Sequence, residues 1–383
     1  MVATYDEIVR CYSDILSIPE RLRIQTLIKN LDQRHRTATY FTDTIKYLPV
    51  MKHNKETNIV QSIYPKGKEE TLCQIAKGGA GKIYKIVNEP FVYKEIVITK
   101  TNPEELEQTI RELFLEVFLQ TVLHKDEKYG HHIPKIISVF RSEHTFILPR
   151  QFSMYIKMVY IPYNLPAYIS SIQHYSKLEV SEFMPFILHL CEILTYFQET
   201  YALHHRDLHT ENILFSRSND IRIIDFGFSN ITFDGITYGV LDESIVSERT
   251  LSKKVHKTNL FPIHSHDILI FLASFLYRYS KLCTDELCDL LLDCFRTNDG
   301  INIYRYSENI IISSDSDTPV YYFFYDWIME ERWCNAIRLH FNDNILHFTP
   351  EAISNRLKHK LIPESLEEKN DIVIQNIELS NGS

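Results

Sequence analysis

The chain has 383 residues, 44% of them hydrophobic and 24% charged, with a formal net charge of −9. That length allows one large domain or two lobes with a real core, and a negative balance argues against nucleic acid as the main partner. Seven cysteines, at 11, 73, 191, 283, 288, 294 and 334, form no CxxC pair and are odd in number, so neither a disulfide framework nor a zinc site is indicated. The N-terminal MVATYDEIVRCYSDIL is mixed and charged, unlike a secretory leader. The longest apolar run, ILIFLASFLY from 268 to 277, is too short to cross a bilayer. The expectation is an intracellular, soluble protein with no membrane span.

In chain order, residues 1–66 read as a polar helical extension, with Ile8, Ile15, Leu22 and Leu27 at helical spacing. The pattern then changes. ETLCQIA, KIYKIV and FVYKEIVI are short β-rich runs separated by GGAG and NEP. Glycine is scarce, 10 in the chain, yet Gly78, Gly79 and Gly81 fall within four residues, so the backbone there needs them. PEELEQTIRELFLEVFLQTVLH follows as an amphipathic helix with Pro103 in its first turn and acidic residues after it. IPKIISVF, HTFIL and MYIKMVYI are further strand candidates. Residues 67–161 thus make a small α+β lobe with one major helix.

Residues 162–361 are mainly helical. SEFMPFILHLCEILTYFQETYAL is a long helix, ILFS and IRIIDF flank SRSND as a hairpin, and the apolar run at 268–277 suits a helix buried on all sides. TDELCDLLLDCFRT is a further helix, and its cysteines, with Cys283, read as core. From residue 362 the chain is polar and acidic and reads as a disordered tail.

The chemistry concentrates in HHRDLHTENILFSRSNDIRIIDFGF, residues 204–228. His205-Arg206-Asp207, Asn212 five residues past that aspartate and Asp225-Phe226-Gly227 eighteen past it stand at the spacing of the protein kinase superfamily, which this stretch resembles. The resemblance covers about residues 67–355. It implies a bilobal α+β fold, with a β-rich N-lobe and a larger helical C-lobe, and transfer of the ATP γ-phosphate. Such transfer needs positioning and charge neutralisation more than covalent help. Asn212 and Asp225 then supply hard oxygens to Mg²⁺, and Asp207 orients the acceptor hydroxyl and takes its proton.

Further matches follow from the same resemblance. IAKGGAGKIYKI is similar to the nucleotide loop: Ile75, Ala76, Lys77, Gly78, Gly79, Ala80, Gly81 and Ile83 line the phosphates, with Ala76 where the first glycine usually stands. Lys94 takes the place of the lysine that contacts the α- and β-phosphates. Its helix partner is Glu116 in preference to Glu112, because EVFLQTVL then places apolar residues where the family helix has them. Met158 guards the back of the adenine pocket, with the Val159 carbonyl and the Ile161 N–H as adenine partners. Asp267 braces the catalytic loop.

Two features depart from the family. His209 stands where Ser/Thr kinases usually carry lysine, a position at which some small-molecule kinases have histidine, and a triphosphate beside it favours a protonated ring. No Ala-Pro-Glu lies between Gly227 and Asp267. Thr237, Ser244, Ser247, Thr250, Ser252 and Thr258 are candidate phosphosites in that segment, and Arg206 is the residue to pair with one. The abundant Ile, Asn, Tyr and Phe resemble kinases of large DNA viruses. The reading is a Ser/Thr protein kinase using ATP and Mg²⁺ on protein substrates. The alternatives are a small-molecule kinase on the same fold and a nucleotide-binding pseudokinase scaffold. The oligomeric state is left open.

Overall fold

The computed structural model describes residues 2–32, 40–64, 66–78, 81–99, 102–143, 152–173, 176–216, 220–239, 264–313, 319–321 and 344–361. HTFIL, Gly79, Ala80, Ser244, Ser247, Thr250, Ser252, Thr258 and the tail lie outside them. Contacts divide the chain into two compact units, residues 1–172 with 198–262, and residues 173–197 with 263–383. Residues 198–262 therefore group with the strands, across the 161/162 boundary read from the sequence.

The first unit begins with helices α1 (Tyr5–Leu16), α2 (Arg21–Leu31) and α3 (Tyr40–Thr44). Thr4 and Glu7 form a capping box at the start of α1, satisfying two N–H groups that a helix end leaves open. Ile8, Val9, Tyr12, Ile15 and Leu16 make its buried face. Helical structure ends at Tyr47. Val50–Asn54 (β1) and Ile59–Tyr64 (β2) then pair as an antiparallel hairpin, which corrects the helical reading of the whole stretch to residue 66. Its signal was local: Asn54 Oδ1 accepts from the N–H groups of Glu56 and Thr57, and Asn58 turns the chain at φ 52°.

The hairpin joins β3 (Glu69–Gly78), β4 (Gly81–Ile86), β5 (Phe91–Ile98), β6 (Ile136–Ser142) and β7 (Phe152–Val159). The strand order is β1-β2-β3-β4-β5-β7-β6, closed into a barrel by parallel pairing of β1 with β6. Closure covers sheet edges that would otherwise expose unpaired backbone groups. The interior holds Met51, Val60, Leu72, Tyr84, Ile86, Tyr93 and Tyr155. Each buried phenol needs a hydrogen-bond partner. Tyr84 and Tyr155 donate to Glu95 (3.2 and 3.1 Å), and Tyr93 donates to Glu70 (2.6 Å), which also accepts from Lys157.

Helix α4 (Pro103–His124) starts at Asn102, whose side chain accepts from the Glu104 N–H, and Pro103 occupies a position where no N–H is needed. After β8 (Tyr163–Asn164) and α5 (Leu165–Ile172), the unit resumes with hairpins β9 (Ile213–Phe215)–β10 (Ile221–Ile223) and β11 (Asn230–Phe233)–β12 (Ile236–Gly239). Thr237 is exposed on β12.

The second unit is helical: most of α6 (Val180–Tyr201), then α7 (His264–Tyr279), α8 (Asp285–Asp293), α9 (Ile303–Ser313) and α10 (Pro350–Leu361). Aromatic rings of α6 and α7 stack, with Phe183 and Phe275 centroids 4.3 Å apart. His266 and Asp267 are buried in the first turn of α7. Burial pushes the Cys283 and Cys294 thiols up to about 12, so both stay protonated and donate to helix carbonyls. By length and composition α6 could cross a membrane, but half of its apolar window is packed inside the protein, as in a core helix.

Candidate active site

The site is assembled on a barrel strand, on α4 and on the loops around β9 and β10. Across the barrel, Ala76, Ile83, Lys94 and Ile156 are successive cross-strand partners, so one row leads from the glycine loop to Lys94 on a common face. Lys94 Nζ donates to Glu116 Oε1 at 2.7 Å and to Asp225 Oδ1 at 3.0 Å. Glu112 is instead engaged by Gln108 of its own helix at 2.8 Å. The Lys94 and Glu116 side chains are each 10% exposed, and Asp225 is 36% exposed.

Charge explains the arrangement. Burial works to discharge Lys94, but Asp225 and Glu116 outweigh it and hold its ammonium above the ordinary lysine range. Lys94 in turn keeps Asp225 ionised, below the usual carboxylate range. Burial pushes Glu116 up, against the pull of Lys94.

Asp225 has left-handed backbone (φ 65°, ψ 70°) and precedes the turn Phe226–Phe228. Phe226 is fully buried, with its ring 5.1 Å from that of His205. Arg206 also has positive φ, 68°. Such backbone costs energy for non-glycine residues and persists where surrounding contacts enforce it. The enforcing contacts here are the His204–Asn230 backbone pair (3.0 and 2.9 Å), His205 Nε2 on the Ile224 carbonyl (3.0 Å), and the Ser229 hydroxyl donating to the His205 carbonyl (3.2 Å). Burial lowers the His205 imidazole to about 4, so the ring is neutral and donates from Nε2.

Asp207 is 8% exposed, and its carbonyl accepts from the His209 N–H (2.9 Å) and from Asn212 Nδ2 (2.7 Å). The Asn212 amide nitrogen faces that carbonyl and the His209 ring, and its oxygen is the atom it offers a cation. His209 Nδ1 accepts the Glu211 N–H at 3.2 Å. Its Nε2 lies 3.5 Å from Asn212 Nδ2 and 3.7 Å from Asp207 Oδ1.

In the glycine loop, Ile75, Ala76, Lys77 and Gly78 end β3, and Gly78 pairs with Gly81. Gly81 is required: its φ is +151°, and a Cβ there would lie 2.1 Å from the Glu95 carbonyl oxygen. Met158 pairs with Val92 on β5, and the N–H of Val159 is spent on the Lys135 carbonyl at 3.0 Å. Ile161 follows, 9% exposed.

A buried lysine shared by two carboxylates, beside an aspartate–asparagine loop, is a phosphate-handling constellation. A protein kinase domain model matches residues 70–261, half of the chain. The chain therefore belongs to the protein kinase family, and its mixture of helices and strands fits a bilobal kinase fold. That membership carries phosphotransfer to protein substrates and, in general terms, use of a nucleoside triphosphate with a divalent metal. No curated protein matches the chain.

Proposed function

We propose that the chain is an ATP- and Mg²⁺-dependent kinase that phosphorylates serine and threonine hydroxyls of proteins. The observation that carries this reading is the convergence of Lys94, Glu116 and Asp225 beside Asp207 and Asn212, with Lys94 held charged and Asp225 held ionised. Lys94, steadied by Glu116, donates to the α- and β-phosphates. Asp225, ionised and partly open to solvent, and the Asn212 side-chain oxygen are hard ligands suited to Mg²⁺, which would neutralise charge on the phosphates. Asp207 orients the acceptor hydroxyl and accepts its proton, and the two bonds to its carbonyl fix its backbone before substrate arrives. His209 presents its Nε2 toward the same region, 3.7 Å from Asp207 Oδ1. HRDLHTEN, with no arginine in residues 208–211, favours Ser/Thr over Tyr acceptors.

His209 also favours a second reading, transfer to a small-molecule hydroxyl. Both are tested by incubating the full chain with labelled ATP and Mg²⁺, with and without generic protein acceptors, beside Asp207→Asn. Label on protein serine or threonine, reduced by about 10²-fold or more in the variant while nucleotide binding persists, is the expected result. Nucleotide binding with no labelled protein would overturn the proposal, and a metabolite screen would then separate a small-molecule kinase from a scaffold.

A further inference from the structure

The N-terminal helices are hydrogen-bonded to one short stretch of α4 at three of its residues, Glu107, Arg111 and Phe114. The Tyr12 hydroxyl of α1 donates to the Phe114 carbonyl at 2.8 Å, fully buried. Arg111 Nη2 donates to the carbonyl of Leu31, the last residue of α2, at 2.6 Å. The Glu107 carboxylate, 9% exposed, accepts the N–H groups of Phe41 and Thr42 and the Thr42 hydroxyl in α3. Rings lie between these bonds: Tyr12 on Phe118 at 5.5 Å and Phe41 on Phe114 at 6.1 Å. Phe118 also meets Phe233 and Tyr238 of the hairpin that follows Gly227.

An apolar face would suffice to bury α4. Directional bonds do more. Hydrogen bonds weaken steeply with distance and angle, so those at Glu107, Arg111 and Phe114 resist both sliding and rotation of the helix. Successive residues on a helix are about 100° apart, so a modest rotation carries Glu116, two residues past Phe114, off Lys94. Tyr12 and Glu107 are also too deeply buried for their bonds to be released cheaply.

We propose that α1 to α3 form a brace within the chain that holds α4 in the rotation placing Glu116 on Lys94, with Tyr12, Glu107 and Arg111 as positioning residues. Its bearing on catalysis rests on the phosphotransfer reading above. With the brace in place the Lys94–Glu116 pair forms without help from a separate protein, and the brace is a control point for this site.

The test uses the full chain and the double variant Tyr12→Phe/Arg111→Ala, with the milder Glu107→Gln beside it in case the double variant folds poorly. Amide hydrogen exchange is followed in α4 and, as a reference, in β5 and β7. Turnover is expressed per nucleotide-binding site. In the double variant, α4 amides are expected to exchange on the order of tenfold faster, with β5 and β7 unchanged. kcat per site is expected to fall about threefold or more, with KM for ATP within about twofold, because Glu116 serves the reacting complex more than ground-state binding. Glu107→Gln moves the same quantities in the same directions by less. Equal acceleration in α4 and the barrel strands, or an unchanged kcat per site despite a loosened α4, would overturn the brace. If the wild type neither binds nucleotide nor transfers phosphate, the phosphotransfer reading falls, and the exchange comparison alone decides whether α4 is braced.

Discussion

Lys94→Met removes the ammonium that touches both Glu116 and Asp225 while keeping an unbranched chain in its place. Two carboxylates on one nitrogen lie within about 6 Å of each other, and at an effective dielectric of about 20 their repulsion is about 3 kcal/mol. Water on the side of Asp225, whose side chain is 36% exposed, screens that to about 2 kcal/mol. The lost attraction of a largely buried pair adds to this, so a total cost of about 3–4 kcal/mol is expected where both carboxylates stay ionised. Glu116 can relieve it by taking a proton. Without Lys94, burial and Asp225 both raise its carboxyl, so the folded variant binds a proton that the unfolded chain, titrating at 4.5, has lost by neutral pH. A native state that binds more protons than the unfolded state loses stability as pH rises. The deficit against wild type should therefore be small near pH 5 and approach its full value near pH 8. Thermal unfolding followed by circular dichroism across that range, without nucleotide, measures it. A deficit that is flat with pH, or a variant more stable than wild type near pH 8, would refute the claim that Lys94 compensates two neighbouring carboxylates. Phosphate transfer by this variant should be lost throughout the range.

Two further expectations concern the barrel that carries Lys94. Burial works to raise the Glu95 carboxyl, but hydrogen bonds from Lys55, Ser153 and Tyr155 outweigh it and hold it below the ordinary range. Its contribution to stability is then complete above about pH 4.5 and lost as pH falls through the folded value. Glu95→Gln should cost about 1–3 kcal/mol near neutrality in a denaturant titration, and the gap should close in acid. Gly81→Ala must push β4 off the Glu95 carbonyl, so it should lower the melting temperature and weaken nucleotide binding together, as fluorescence titration would report. Unchanged melting in that variant would mean that the approach of β4 to β5 is not tight in solution.

The family was legible from one short stretch because its chemistry is local. Asp207, Asn212 and Asp225 fall within nineteen residues, and the β9–β10 hairpin between them has its own turn signals, so spacing along the chain translates directly into placement. The His209 ring was legible as a departure from the family, but its contacts were not, since they depend on where the Glu211 N–H and the Asn212 side chain point. The choice between Glu112 and Glu116 could be argued from helix pattern; the contact itself depends on how α4 is rotated against β5. Lys94 lies 22 residues from Glu116 and 131 from Asp225, and only tertiary packing brings three such charges onto one point. The barrel is similar. Residues 50–64 carry alternation and an asparagine turn, yet their weak pattern follows three helical segments, and what makes them strands is the pair of open edges, on β3 and β6, that they cover. Short-range order and the identity of the reacting groups were thus written in the sequence, because each depends on a few neighbouring residues. The rotation of α4, the closure of the barrel and the charge state of Lys94 were decided by the tertiary structure, because each depends on groups that are distant in the chain and meet only when water is excluded between them.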